Sequence, residues 1–197
     1  MPKIDEMQLK KEIKSGDFKN AYLLYGEESY LKEYYANELK NKIVDKTFEA
    51  FNYHSFDGKD TELDDILKDA QMLPMMSEYN FVLVKDYPIE KSSNDIKLLE
   101  EYLSDAPDST VLVFWFDALD PDVKSAKFKK VIKAFEKAGN CVELQKRSEN
   151  DVAKLLVAVL LSLTSVFEIS SSDVLSCSSE RFAQSLVALR SANSLPL

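Results

Sequence analysis

The sequence predicts an α/β fold: a doubly wound, mainly parallel five-stranded sheet followed by a small helical unit. Three observations predict it. Five short apolar, β-branched or aromatic runs alternate with longer amphipathic stretches. Two of the runs, Phe81–Val84 and Val111–Phe116, are apolar throughout rather than at every second residue, as strands covered by helices on both faces must be. The stretches between them repeat their apolar residues at three and four and carry helix start and stop signals. At 197 residues, with 45% hydrophobic and 30% charged side chains, the chain can build one sizeable core and a small second unit.

The predicted strands are, in order, Ala21–Tyr25, Phe51–Phe56, Phe81–Val84, Thr110–Phe116 and Cys141–Leu144. After the first, Tyr30, Leu31, Tyr34, Tyr35, Leu39 and Ile43 trace a helical stripe. After the second, Thr61-Glu62-Leu63-Asp64 reads as a capping box ahead of Leu63, Ile66, Leu67 and Ala70. After the fourth, Asp120-Pro121 reads as a cap before a first-turn proline, and Phe128, Val131, Ile132 and Phe135 face away from a row of lysines. Gly139 stands where a helix should end, just before the fifth strand. The α/β domain is therefore expected over 1–146.

Beyond Ser148 the pattern is helical only, with a cap at Ser148-Glu149-Asn150-Asp151 and a helix over Asp151–Leu161. Composition then shifts abruptly. Every lysine lies at or before Lys154, and from 157 onward the charged side chains are Glu168, Asp173, Glu180, Arg181 and Arg190 alone. An uncharged Ser/Leu segment makes neither a good solvated surface nor a good core, so a disordered or altered end is expected there.

Composition excludes several classes of function. Net charge is -9, and 34 acids outweigh 22 lysines and three arginines, so the basic stripe of an autonomous nucleic-acid binder is missing. The longest uncharged run, Leu155–Phe167, is too short to span a bilayer. The N-terminus Met1-Pro2-Lys3-Ile4-Asp5-Glu6 has no apolar signal core. Two cysteines in no paired spacing fit a reducing compartment without disulfide or zinc site. A cytoplasmic protein is expected.

An α/β sheet most often presents a nucleotide at the loop after its first strand. That loop, Gly26-Glu27-Glu28-Ser29-Tyr30-Leu31, has one glycine, no lysine and two carboxylates, and the glycine-rich phosphate motifs are absent from the chain. No nucleotide site and no cofactor are expected. Acids do follow the strands: Glu27 or Glu28, Asp57, Asp86 and Asp117. Converging, they could hold Mg²⁺ for phosphotransfer or phosphatase-like chemistry; otherwise they cap the following helices, which the explicit cap signals elsewhere favour. His54 lies within a strand with no base partner in view, and Cys141 reads as a small core residue. Cys177 falls in the Ser/Leu segment. No catalytic residue and no metal ligand is assigned.

One apolar feature is ambiguous. Met72, Leu73, Met75 and Met76 surround Pro74, which must end the preceding helix. Soft methionines suit a partner's groove, yet the same residues could pack beneath the sheet.

In order and spacing, these blocks resemble the delta subunit family of the bacterial DNA polymerase III clamp loader. The residues that carry the resemblance are Ala21-Tyr22-Leu23-Leu24-Tyr25-Gly26-Glu27-Glu28-Ser29-Tyr30-Leu31, then Leu73-Pro74-Met75-Met76-Ser77-Glu78 running into Phe81-Val82-Leu83-Val84-Lys85, and Ala106-Pro107-Asp108-Ser109-Thr110-Val111-Leu112-Val113-Phe114. The resemblance implies an AAA+-type domain without a working nucleotide site, then a helical lid over 147–176. It implies a non-catalytic subunit that binds the sliding clamp and helps to open it, beside other loader subunits and touching DNA only through the assembly. The family's hydrophobic clamp-binding pair maps onto Pro74 and Met75, flanked by Leu73 and Met76. Met75 stands where an aromatic is more usual, and Glu78-Tyr79-Asn80 where an arginine is expected. Residues 177–197 depart from the family, for which a truncated or frame-shifted end is the expectation, and the family's third, collar domain is expected to be absent from these 197 residues.

Overall fold

A computed structural model describes residues 4–146. The expectations for a lid over 147–176, for the Ser/Leu segment and for Cys177 lie outside the described residues. The elements run α1 (Glu6–Ser15), β1 (Ala21–Tyr25), α2 (Ser29–Ile43), α3 (Glu49–Asn52), β2 (Tyr53–Asp57), α4 (Leu63–Ala70), β3 (Asn80–Lys85), α5 (Ser93–Ser104), β4 (Thr110–Trp115), α6 (Ala126–Ala138) and β5 (Asn140–Glu143). The strands form one five-stranded sheet in the order β2-β3-β4-β1-β5, every neighbouring pair parallel. β1 is an interior strand, between β4 and β5, and wholly buried, while β2 forms an edge and is only partly covered.

The continuous apolar runs have their reason in two separate cores. Leu23, Val82, Val84, Leu112 and Phe114 point to the face covered by α4, α5 and α6. Their neighbours Tyr22, Leu24, Phe81, Leu83, Val111 and Val113 point to the face covered by α1 and α2. Side chains alternate across a strand, so a sheet sandwiched in this way needs apolar residues at both parities. Phe114 meets Tyr87 and Phe135 edge-on, with ring centroids 6.2 and 5.6 Å apart, the arrangement aromatic quadrupoles favour.

Several boundaries differ from the expected ones. Phe51 and Asn52 close the short helix α3 instead of opening β2. No side chain caps α4, whose N-cap is Glu62, so the capping box at Thr61 does not form. The helix expected at Asp120-Pro121 begins later, after Ser125, whose Oγ accepts from the Phe128 N–H at 3.0 Å and donates to Glu90 at 2.9 Å. On α2 the buried stripe is Tyr35, Ala36, Leu39 and Ile43; Tyr30 and Tyr34 lie exposed and stack on each other. Aromatics suit either side of a helix this close to the surface, and burial went to the smaller stripe.

Gly139 does end α6, for a reason of space. A Cβ there would lie 1.9 Å from the Ala21 carbonyl oxygen, so only glycine lets α6 turn directly into β5 beside β1.

Candidate functional site

All strands are parallel, so the sheet has one edge of strand starts and one of strand ends. The Pro74 turn lies at the first, between α4 and β3. Met72 is 51% exposed, Leu73 82%, Met75 53% and Met76 78%, and Pro74 is half-buried. Of the two readings of this segment, packing beneath the sheet is the one these values contradict. The four large apolar side chains project from the domain.

With so little burial of its own, the turn is held by two asparagines. Asn52, fully buried at the end of α3, accepts from the Met75 N–H at 2.6 Å through Oδ1 and donates through Nδ2 to the Met75 carbonyl at 2.9 Å and the Phe48 carbonyl at 3.2 Å. Asn80, buried at the start of β3, donates to the carbonyls of Asp69 at 2.9 Å and Met72 at 3.3 Å. Met76 has φ +54°, the left-handed region that a methionine rarely enters. Phe51, beside Asn52, is 58% exposed at the same edge.

Sequence reasoning missed both asparagines. Asn52 sits inside the run that reads as the second strand, and Asn80 falls in the stretch where the resemblance implies an arginine. A usable signal is the residue type itself: asparagine is disfavoured in strands, yet Asn52 directly precedes β2 and Asn80 opens β3. His54 also has a partner that the sequence does not disclose: its Nδ1 lies 3.3 Å from Asp69 Oδ2, tying the edge strand to α4. Cys141 is buried, as a small core residue should be.

The strand-end edge holds the loop after β1. Gly26 has φ +116°, and a Cβ there would lie 2.4 Å from the Leu144 carbonyl oxygen. The Glu28 N–H donates to that same carbonyl at 3.1 Å. Lys32, one turn into α2, is buried and donates to the Gly26 carbonyl at 2.7 Å. Burial pulls its ammonium below the ordinary lysine range, an effect opposed by Asp117, Asp120 and Asp86. The chain's own cation thus bonds the loop's own carbonyl, and one amide of the loop is already committed.

The strand-end acids act as loop caps and ion-pair partners. Asp86, buried with φ +52°, accepts from the N–H groups of Asp117, Ala118 and Leu119 at 2.7, 3.1 and 3.1 Å. Asp117 pairs with Lys85 at 2.9 Å, and this hydrogen bond holds its carboxyl below the usual carboxylate range. Asp57 caps its own turn by accepting from the Lys59 N–H at 3.0 Å. Among the described residues, no three His, Cys, Asp or Glu side chains group so as to hold a metal ion. None of these acids caps the helix that follows its strand: Glu28 makes no side-chain cap bond at α2, no side chain caps α4, and Ser92 and Ser125 cap α5 and α6. Asp57, Asp86 and Asp117 bond loop amides and a lysine instead.

Comparison with known proteins agrees with this architecture. The sequence pattern of the family described as DNA polymerase III, delta subunit, matches residues 22–145. DNA polymerase III subunit delta of Bacillus subtilis (strain 168) is 29% identical over 154 residues, covering 75% of this chain and 43% of that protein. The solved Bacillus subtilis DNA clamp loader delta protein superposes with a TM-score of 0.64 at 24% identity, over 80% of this chain and 48% of its own. A DNA polymerase III gamma subunit-related protein of Thermotoga maritima gives a TM-score of 0.50 at 18% identity, over 72% of this chain and 47% of its own. The two structures establish a shared fold. The chain spans less than half the length of each of these relatives.

Proposed function

The chain belongs to the DNA polymerase III delta subunit family, the delta subunits of the clamp loader in DNA replication, and from that premise we propose that it is a non-catalytic subunit whose turn at residues 72–76 grips the sliding clamp. The projecting quartet Met72, Leu73, Met75 and Met76 carries the proposal. Large apolar side chains grouped on a surface turn mark an interaction site, and a few of them entering a groove supply most of an interface's affinity. Flexible thioethers adapt to an apolar pocket.

The mechanism needs no chemistry from this chain. Leu73, Met75 and Met76 enter the groove as anchors, Pro74 shapes the turn between them, and the domain behind them acts as the lever that holds the ring open. Energy comes from ATPase partners in the loader. This fits a first loop whose glycine carbonyl is bonded by Lys32 and whose Glu28 amide is bonded by Leu144. The remaining assignments of the proposal are a lid over 147–176, other loader subunits as partners in the full-length protein, DNA reached only through the assembly, and a cytoplasmic location. Among the described residues, no helix is long and apolar enough to cross a membrane.

Size-exclusion chromatography of the chain with purified sliding clamp tests this reading. Co-elution that is lost in a Leu73→Asp/Met75→Asp variant of unchanged fold is expected. Separate elution of the unaltered chain and the clamp at concentrations well above micromolar would refute it.

A further inference from the structure

We propose that Asn52 is a positioning residue for the tip: it clasps Met75 in the projecting geometry before a partner arrives, and so sets the affinity of the site without touching the partner. The inference rests on the reading of residues 72–76 as the gripping surface. It goes beyond that reading because the apolar side chains alone do not account for the shape they present.

The residues between α4 and β3 belong to no helix or strand. Their apolar side chains are mostly in water, so burial does not fix the turn, and Met76 sits in a backbone region unfavourable to it. A turn of this kind, left to itself, samples many conformations. Asn52 supplies what burial does not. Its amide makes a reciprocal pair with the Met75 N–H and carbonyl, as a neighbouring strand would, and its third bond, to the Phe48 carbonyl, fixes the amide itself. Asn52 is fully buried, so water does not compete for these bonds. Asn80 fixes the start of the same segment through Met72. Met75 is therefore pinned at its backbone while its side chain remains half in solvent.

A ligand's apparent affinity falls in proportion to the fraction of protein already in the competent geometry. Loosening the turn until one molecule in ten is competent weakens apparent binding about tenfold.

The test uses the 197-residue chain, purified sliding clamp and two variants. Asn52→Leu is close in size and deletes all three bonds. Asn52→Asp keeps an oxygen to accept from the Met75 N–H and loses both donor bonds. Hydrogen exchange at the Met75 amide reads the clasp, and the clamp Kd, titrated well below each variant's melting temperature, reads its consequence. For Asn52→Leu we expect faster Met75 exchange and a Kd raised about tenfold, and for Asn52→Asp, whose second oxygen faces the Met75 and Phe48 carbonyls in a fully buried site, a rise at least as large. A lowered melting temperature with an unchanged Kd makes Asn52 merely structural and overturns the proposal, as does unchanged Met75 exchange. If Asn52→Leu does not fold, Asn52→Asp decides alone: a Kd equal to that of the unaltered chain overturns the proposal. Failure of the unaltered chain to bind overturns the reading of the tip, and this inference with it.

Discussion

Replacing Met75 by aspartate separates a docking role from a folding role, because the structure sets different magnitudes for the two. Burying a Met or Leu side chain completely is worth about 2 kcal/mol. Met75 already has 53% of its surface in water, so about 1 kcal/mol remains to be gained when a groove covers it. A carboxylate in that groove forfeits this gain and must also lose hydration, which costs at least about 1 kcal/mol more. The total of about 2 kcal/mol corresponds to a Kd raised about 30-fold. Leu73 and Met76, 82% and 78% exposed, bring the tip's whole apolar gain to about 4 kcal/mol, so one substitution weakens the grip without abolishing it. For the fold the same exposure implies little loss. The two backbone bonds from Asn52 do not depend on the Met75 side chain, and surface changes usually stay within about 0.5 kcal/mol. A shift in Tm of no more than about 2 °C is expected for a chain of this size. Fluorescence anisotropy of labelled clamp gives the Kd, and a thermal melt gives the stability. An unchanged Kd, or a melt lowered by many degrees, would refute the reasoning.

Three further outcomes test other parts of the account. Gly139→Ala should destabilise by about 2–4 kcal/mol, read from urea unfolding, because its Cβ would fall 1.9 Å from the Ala21 carbonyl oxygen and β1 is too well packed to retreat; an unchanged midpoint would refute the close approach. Asp86→Asn keeps the shape and tolerates the left-handed backbone, but with its oxygen left to the Asp117 and Leu119 amides it sets an NH₂ against the Ala118 N–H. It should cost about 1–3 kcal/mol by the same measurement, and equal stability would show that the carboxylate is not the cap. Burial, first of all, holds the phenols of Tyr22, Tyr87 and Tyr102 protonated past the ordinary value of 10.0. Their contribution is therefore complete below pH about 10 and is lost as pH rises above it, since the unfolded chain releases these protons first. Urea midpoints measured along an alkaline series should fall beyond that point, and a level profile would contradict the burial of these hydroxyls.

The core was legible because burial on both faces leaves a mark in local sequence: Phe81–Val84 and Val111–Phe116 cannot be read as half-exposed strands. Alternation of strands with amphipathic segments gave the parallel class, and the order β2-β3-β4-β1-β5 then came from contacts far apart in the chain. Errors gathered where a residue type serves two purposes. Asp120-Pro121 has the composition of a helix start, yet Ser125 does the capping because Glu90, from another loop, fixes its hydroxyl. Phe51 looks like a strand residue by propensity, but Asn52 must turn inward toward Met75, and the backbone is helical there. At the tip, the apolar cluster was plain in the sequence and its outward direction was not, since methionine and leucine serve surface and core alike. The clasp by Asn52 was invisible for a different reason: it joins residues 23 apart in the chain through backbone atoms, which every residue except proline possesses in full.

The turn at residues 72–79 runs straight into β3, and that strand is laced to β2 from Phe81 to Lys85 and to β4 from Asn80 to Lys85. A tug on the turn along the strand axis loads both ladders in shear, sharing the strain among all their hydrogen bonds together. A hairpin pulled from its open end yields its bonds one after another. The projecting segment is moored along a length of interior strand, so a mechanical load on it is delivered to the whole sheet.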